Sequence, residues 1–338
     1  MMMIDHARGK INLTLDITGK REDSYHELDM ILQSVELSDT LVFETMDDIA
    51  CANAPKCAAK RKAFASLTGF TGSELYADEP EQVSGKDFSP EGVPVIMELE
   101  AGCEGIPEGP DNLIIKAAKA VLPYARKPHL IRIVLEKNIP TGAGMGGGSS
   151  DAACVMRALS GFWDCDLTEE DLLTVAANVG ADVPFLIMGG CCECTGIGEK
   201  LRPLQGLYDV AIALLKPKIS LSTPKVYGRF DELGLPGRSD TAGCAAALEA
   251  GDERKAASLL GNALEGAAAD LYPPITEIKE LFLREGAMGA AMTGSGSAVY
   301  GLFRDKRKAF AAVRRIKEEL GDQEIKSFLT TPALPEDS

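Results

Sequence analysis

No apolar run in the 338 residues approaches the roughly 20 that a membrane span needs. The opening stretch, Met1 to Lys10, lacks the long apolar core of a secretion signal, so the chain is expected in the cytoplasm. Positive charge is also scarce. The chain has 35 Lys and Arg against 51 Asp and Glu, a net charge of −16. Such a balance does not suit a nucleic-acid backbone or an anionic lipid surface, and neither partner is expected. Basic residues that matter should be local, set into a site. The nine cysteines are an odd number and lack disulfide-framework spacing. Cys191-Cys192-Glu193-Cys194 has no second ligand pair at a recognisable distance, so buried free thiols are expected there rather than a metal.

What the chain does have is glycine in one place. Pro140-Thr141-Gly142-Ala143-Gly144-Met145-Gly146-Gly147-Gly148-Ser149-Ser150 runs into Asp151 and a good helix former from Ala152. Glycine lets backbone approach a ligand closely and visit positive φ. A helix N-terminus adds N–H donors and partial positive charge, so the natural guest is a phosphate. No lysine precedes Ser149, which rules out a P-loop. The G-x-G-x-x-G match is weak, because Lys137 to Thr141 separates the glycines from the strand-like Ile131 to Glu136. Asp151, directly after the loop, is expected to cap the helix rather than act as a base.

At 45% hydrophobic and 25% charged the chain is globular and long enough for two domains. Ile11, Leu13, Leu15 and Ile17 alternate as one face of a half-buried strand. Further strands are expected at Leu28 to Val35, Thr40 to Glu44 and Val95 to Glu100, and a helix from Asp111 to Tyr124. Residues 46–92 lose periodicity and read as an insertion, loosely ordered or with a short helix. Thr168 to Asp171 is a capping signature for a helix that reaches Asn178. The domain change is placed near 205, giving domains 1–205 and 206–338. The strand Asp209 to Leu215, helices at 241–250, 253–266 and 274–285, a second glycine loop at 292–297, a strand from Ala298 to Phe303, a helix over about 305–320 and a strand over about 324–330 follow. The alternation suggests an α+β sandwich.

Nine motifs in order now carry a resemblance. They are Lys10-Ile11-Asn12-Leu13, Gly19 to Glu27, Asp111-Asn112-Leu113, Glu136 to Pro140, Pro140 to Ser150, Gly180-Ala181-Asp182-Val183-Pro184-Phe185, Gly196 to Lys200, Ser222 to Tyr227, and Gly294-Ser295-Gly296. Outside 46–92 the set resembles the GHMP kinase superfamily of galactokinase, homoserine, mevalonate and phosphomevalonate kinases. Within it the pattern is similar to the branch that phosphorylates a cytidyl diphosphate methylerythritol. Three departures stand out. Arg8-Gly9 replaces the usual Pro-Ala, Ser24 replaces a usual Gly, and the insertion is not typical.

The resemblance implies a two-domain α+β fold, a ribosomal protein S5 domain 2-like N-terminal domain followed by a ferredoxin-like one. It implies an ATP-dependent small-molecule kinase, with Mg²⁺, acting on a tertiary 2-hydroxyl. Asp182 would take the hydroxyl proton and Lys10 would lie beside it. Pro140 to Ser150 and Gly294, Ser295 and Gly296 would hold ATP, with Asn112 and Lys137 flanking adenine. Tyr25 and Tyr227 would sandwich the cytosine, His26 would bond its edge, and Asn12 and Thr223 would complete the pocket. The metal ligands stay open, and the chain would be a monomer or weak homodimer. Two alternatives remain: homoserine or phosphomevalonate kinase, or a nucleotide-binding regulator without catalysis.

Overall fold

The computed structural model describes residues 1–22, 25–45, 95–99, 106, 111–236, 239–321 and 325–335. The expected insertion lies wholly outside them, and Ser24 does as well.

The chain opens with two very long strands, β1 (Met2–Lys20) and β2 (His26–Thr45), paired antiparallel along their whole length. The two segments expected at Leu28 to Val35 and Thr40 to Glu44 are one strand. After β3 (Val95–Leu99) come α1 (Leu113–Val121), a short 3-10 turn, β4 (Ile131–Glu136) and α2 (Gly147–Phe162). Next are α3 (Glu169–Ala177), α4 (Val183–Met188), β5 (Cys191–Gly196) and β6 (Lys200–Pro203). Thr168 and Asp171 form the expected reciprocal cap on α3.

The second half holds β7 (Ala211–Pro217), α5 (Thr223–Leu233), α6 (Thr241–Glu249), α7 (Glu253–Ser258), β8 (Gly261–Asn262), α8 (Glu265–Leu271) and α9 (Pro274–Arg284). It closes with β9 (Gly289–Met292), β10 (Val299–Phe303), α10 (Lys306–Leu320) and β11 (Ile325–Thr330). The helix expected over 253–266 is broken, because Gly261 and Asn262 pair with Thr14 and Leu15 of β1. The side-chain amide of Asn262 also donates to the carbonyls of Met292 and Gly294.

One sheet runs β3-β4-β2-β1-β8, with β5 on β2 and β6 on β5. The other runs β11-β7-β10-β9, all antiparallel, with helices between β7 and β9 and between β10 and β11. That is the ferredoxin-like order.

The expected single apolar face of β1 is split between two cores. Ala7, Leu15 and Ile17 pack in one, with the helices of the first sheet. Ile11 and Leu13 pack in the other, against Ile212, Leu214, Tyr300 and Leu302 of the second sheet. The pairing register shifts between Arg8 and Lys10 and again between Asn12 and Thr14. A bulge turns a strand over. The segment between the two shifts is therefore inverted, which turns Lys10 and Asn12 to the face that carries Leu15, Leu28 and Met30 around a cleft.

Candidate active site

The cleft has a volume of about 420 Å³. Gly142, Gly144, Gly146, Gly147, Gly148 and Ser149 line one side, and Gly294, Ser295 and Gly296 another, with Lys10, Asn12, Asp182, Thr223 and Tyr227 completing the wall. The two glycine loops interlock. Gly144 has φ +78°, and a Cβ there would lie 2.0 Å from the Thr293 carbonyl oxygen. Thr293 Oγ1 donates to the Gly144 carbonyl at 3.1 Å. Gly146, at φ +71°, precedes α2 and brings no capping side chain. The first turn of α2 thus presents its N–H groups to the cleft without a side-chain competitor.

Lys10 sits under this turn. Its Nζ donates to Asn12 Oδ1 at 2.8 Å and lies 3.8 Å from Asp182 Oδ2. The Lys10 side chain is 5% exposed and that of Asp182 29%, so the carboxylate faces the open cleft. A Cβ on Gly146 would come within 3.4 Å of Lys10 Cε and 3.5 Å of Asp182 Oδ2. The pair and the head of α2 are therefore immediate neighbours. Asp182 occupies the N-cap position of α4, yet its side chain makes no capping bond. Asn12 Oδ1 also accepts from the Gly294 N–H at 2.9 Å, which joins the lysine to the late loop. Thr223 Oγ1 and Ser295 Oγ are 2.9 Å apart, which joins α5 to the same loop.

A second cavity of about 500 Å³ abuts the first and shares Leu28, Ala181, Ile197, Thr223 and Tyr227 with it. Tyr25, His26, Pro224 and Asp231 are among its other walls. Tyr25 stands at the rim, 62% exposed. The ring packed on Tyr227 is that of His26, with centroids 4.9 Å apart and planes 35° apart. Burial, with Asp182 nearby, pushes the Tyr227 phenol well above its ordinary range.

Several expected site residues point elsewhere. Asn112 caps α1, its Oδ1 accepting from the Ile114 N–H at 2.8 Å, and it does not line the cleft. Lys137 turns inward, its ammonium held between Asp39 and Asp151. Asp151 is accordingly no cap; it lies inside α2, 2.7 Å from Lys137. The reason is burial: a carboxylate enclosed at that depth needs a cation more than a helix end does. Ser150 Oγ donates to the Arg8 carbonyl. Ala143 and Met145 are packed in the second core, and Pro140 and Thr141 stand outside the cleft. Of the eleven-residue loop, six residues line the cleft.

Lys20, Ile197 and Asp231 were not singled out from the sequence. Asp231 follows Tyr227 by four positions on α5, a spacing that puts both on one helix face and could have flagged it. Cys191, Cys192 and Cys194 are buried thiols, and burial pushes that of Cys192 up to about 12.

The family profile for the GHMP kinases N terminal domain matches residues 112–190, and that for GHMP kinases C terminal matches residues 244–322. A 4-diphosphocytidyl-2-C-methyl-D-erythritol kinase from Caldanaerobacter subterraneus subsp. tengcongensis is 34% identical over 311 residues, 92% of this chain and 91% of the relative. The chain belongs to the 4-diphosphocytidyl-2-C-methyl-D-erythritol kinase family of GHMP kinases. A member from Pelotomaculum thermopropionicum is 35% identical over 323 residues, 95% of this chain and 96% of the relative. A crystal structure of 4-(cytidine 5'-diphospho)-2C-methyl-D-erythritol kinase superposes with a TM-score of 0.70 at 30% identity, covering 98% of this chain and 99% of that one. Homoserine kinase from Cytophaga hutchinsonii has a TM-score of 0.68 at 14% identity, covering 99% and 96%, which shows a common fold alone. A GHMP kinase takes ATP as co-substrate.

Proposed function

We propose that this kinase transfers the γ-phosphoryl of ATP to the 2-hydroxyl of 4-diphosphocytidyl-2-C-methyl-D-erythritol, giving the 2-phosphate, in non-mevalonate isoprenoid precursor biosynthesis. The observation that carries the reading is the shared wall between two cavities. One offers backbone N–H groups to a triphosphate; the other is lined by aromatic rings suited to a nucleobase. Lys10 and Asp182 stand in the first cavity, and Ala181 belongs to both.

Asp182 accepts the proton of the attacking tertiary hydroxyl as the O–P bond forms. Lys10 favours the ionised form of that carboxylate and offsets charge on the transferring group. Asn12 holds the lysine in place, and Gly142 to Ser149 fix the phosphates so that the γ-phosphoryl meets the hydroxyl in line. The donors here are hard oxygens, which suits Mg²⁺: Ser149 lines the cleft, while Ser150 Oγ is bonded to the Arg8 carbonyl. Ser149 and the phosphates would hold the ion, and it would neutralise phosphate charge.

A domain division at 205/206 is supported by β6 ending at Pro203 and β7, which belongs to the other sheet, beginning at Ala211. β8 is the exception, returning from the second half to the first sheet. The reading places a monomer or weak homodimer in the cytoplasm, where ATP is available. Among the described residues no helix is long and apolar enough to cross a membrane.

An assay for ADP release with the cytidyl substrate, homoserine and mevalonate as separate acceptors tests the reading. Turnover is expected with the cytidyl substrate alone; turnover only with another acceptor would overturn it. Asp182→Asn should cut kcat by about 10²–10⁴-fold while ATP still binds by titration calorimetry. Wild-type kcat in that variant would remove Asp182 from the chemistry.

A further inference from the structure

The turn between β1 and β2 meets α5 at one carboxylate. Lys20 and His26 are partners across the ladder. Both side chains end on Asp231: Lys20 Nζ donates to Oδ2 at 2.6 Å, and His26 Nε2 bonds Oδ1 at 2.8 Å. The rings of Tyr227 and Phe230, 4.9 and 6.2 Å away between centroids, hold the imidazole from α5. The His26 side chain is 9% exposed and lines the aromatic cavity.

The hydrogen bonds from Lys20 and His26 hold the Asp231 carboxyl below its ordinary range, so it is ionised near neutral pH. An ionised carboxylate only accepts, so Nε2 of His26 must carry the hydrogen. In the neutral ring Nδ1 is then a bare acceptor. Among the described residues no protein donor is bonded to it. The common pyrimidines differ in polarity at the 4-position, where cytosine presents an amino donor and uracil a carbonyl acceptor. An acceptor nitrogen bonds the first and repels the second.

We infer that Asp231, through its hold on His26, sets the preference for cytosine over uracil in the aromatic cavity. The inference rests on the proposed function, which makes this cavity the nucleobase end. Asp231 is a positioning residue; the atom facing the base belongs to His26. Lys20 keeps the carboxylate charged without choosing the tautomer.

The test measures kcat/KM with the cytidyl substrate and with its uridine-diphosphate analogue. The ratio of the two is the readout. Asp231→Asn places an amide N–H donor within reach of Nε2 and so permits the opposite tautomer. In that variant the ratio should fall by about tenfold or more, with the KM for the cytidyl substrate raised and the KM for ATP unchanged. Asp231→Glu retains an acceptor-only partner and should restore most of the ratio. Lys20→Met should weaken both pyrimidines together and leave the ratio standing. A wild-type ratio in Asp231→Asn would overturn the inference, and so would equal losses in Asp231→Asn and Asp231→Glu. Wild-type enzyme without turnover of the cytidyl substrate would overturn the proposed function first, and this inference with it.

Discussion

Lys137 shows how burial redirects a charged residue. It lies between two carboxylates, and Asp39 also accepts from the N–H groups of Asn138 and Ile139 at 2.6 and 2.7 Å. Burial pulls the lysine down in pKa, and the two carboxylates more than reverse that. Burial pushes Asp151 up, with Lys137 opposing, and Asp151 Oδ1 is buried without a hydrogen-bond partner among the described residues. An acid with a raised folded-state pKa stabilises the fold while it is protonated, below its ordinary value of about 3.9. That contribution is lost as pH climbs through the raised value. Asp151→Asn removes the dependence and leaves Lys137 with one carboxylate. The Tm of the variant relative to wild type should therefore increase between pH 4 and pH 8 in thermal melts; a gap that stays constant across that window would contradict the account.

At the scale of elements, β1 and the two glycine loops build the site. The sequence pattern announced the strand, both loops and several of the helices, because periodicity and glycine clusters are local signals, but it did not announce α5 and it ran one helix through Gly261 and Asn262. It did not announce that β1 turns over between Arg8 and Thr14, since a bulge is decided by the partner strand and by which core each side competes for. Lys10 and Asp182 were legible only through their motifs; the inversion that aims Lys10 into the cleft was not. Asn112, Lys137 and Ser150 carried the right motif but the wrong direction, because motif spacing fixes backbone position and not where a side chain finds its partner. The interlock of the loops can be probed directly. Gly144→Ala would set a methyl against the Thr293 carbonyl, in a conformation that costs about 1–3 kcal/mol for a residue with a side chain. We expect ATP affinity to fall by at least about tenfold, measured by titration calorimetry, and unchanged affinity would show that the loops need not touch.

For the whole molecule, the two sheets share one core through Ile11 and Leu13, so the halves cannot slide without opening it. The same arrangement sets the two cavities side by side. Leu28, Ala181, Ile197, Thr223 and Tyr227 belong to both, so the glycine-lined cleft and the aromatic cavity lie against one another. That common wall has a practical side. On the proposed function, a single compound with an adenine nucleotide on one arm and a cytosine on the other would need only a short tether to reach both chambers. Once one arm is seated, the second meets its chamber at an effective concentration of about millimolar for a short flexible tether. Two weak fragments joined across Thr223 and Tyr227 would thus make a bisubstrate inhibitor, one whose selectivity over the other GHMP kinases would reside in its cytosine arm.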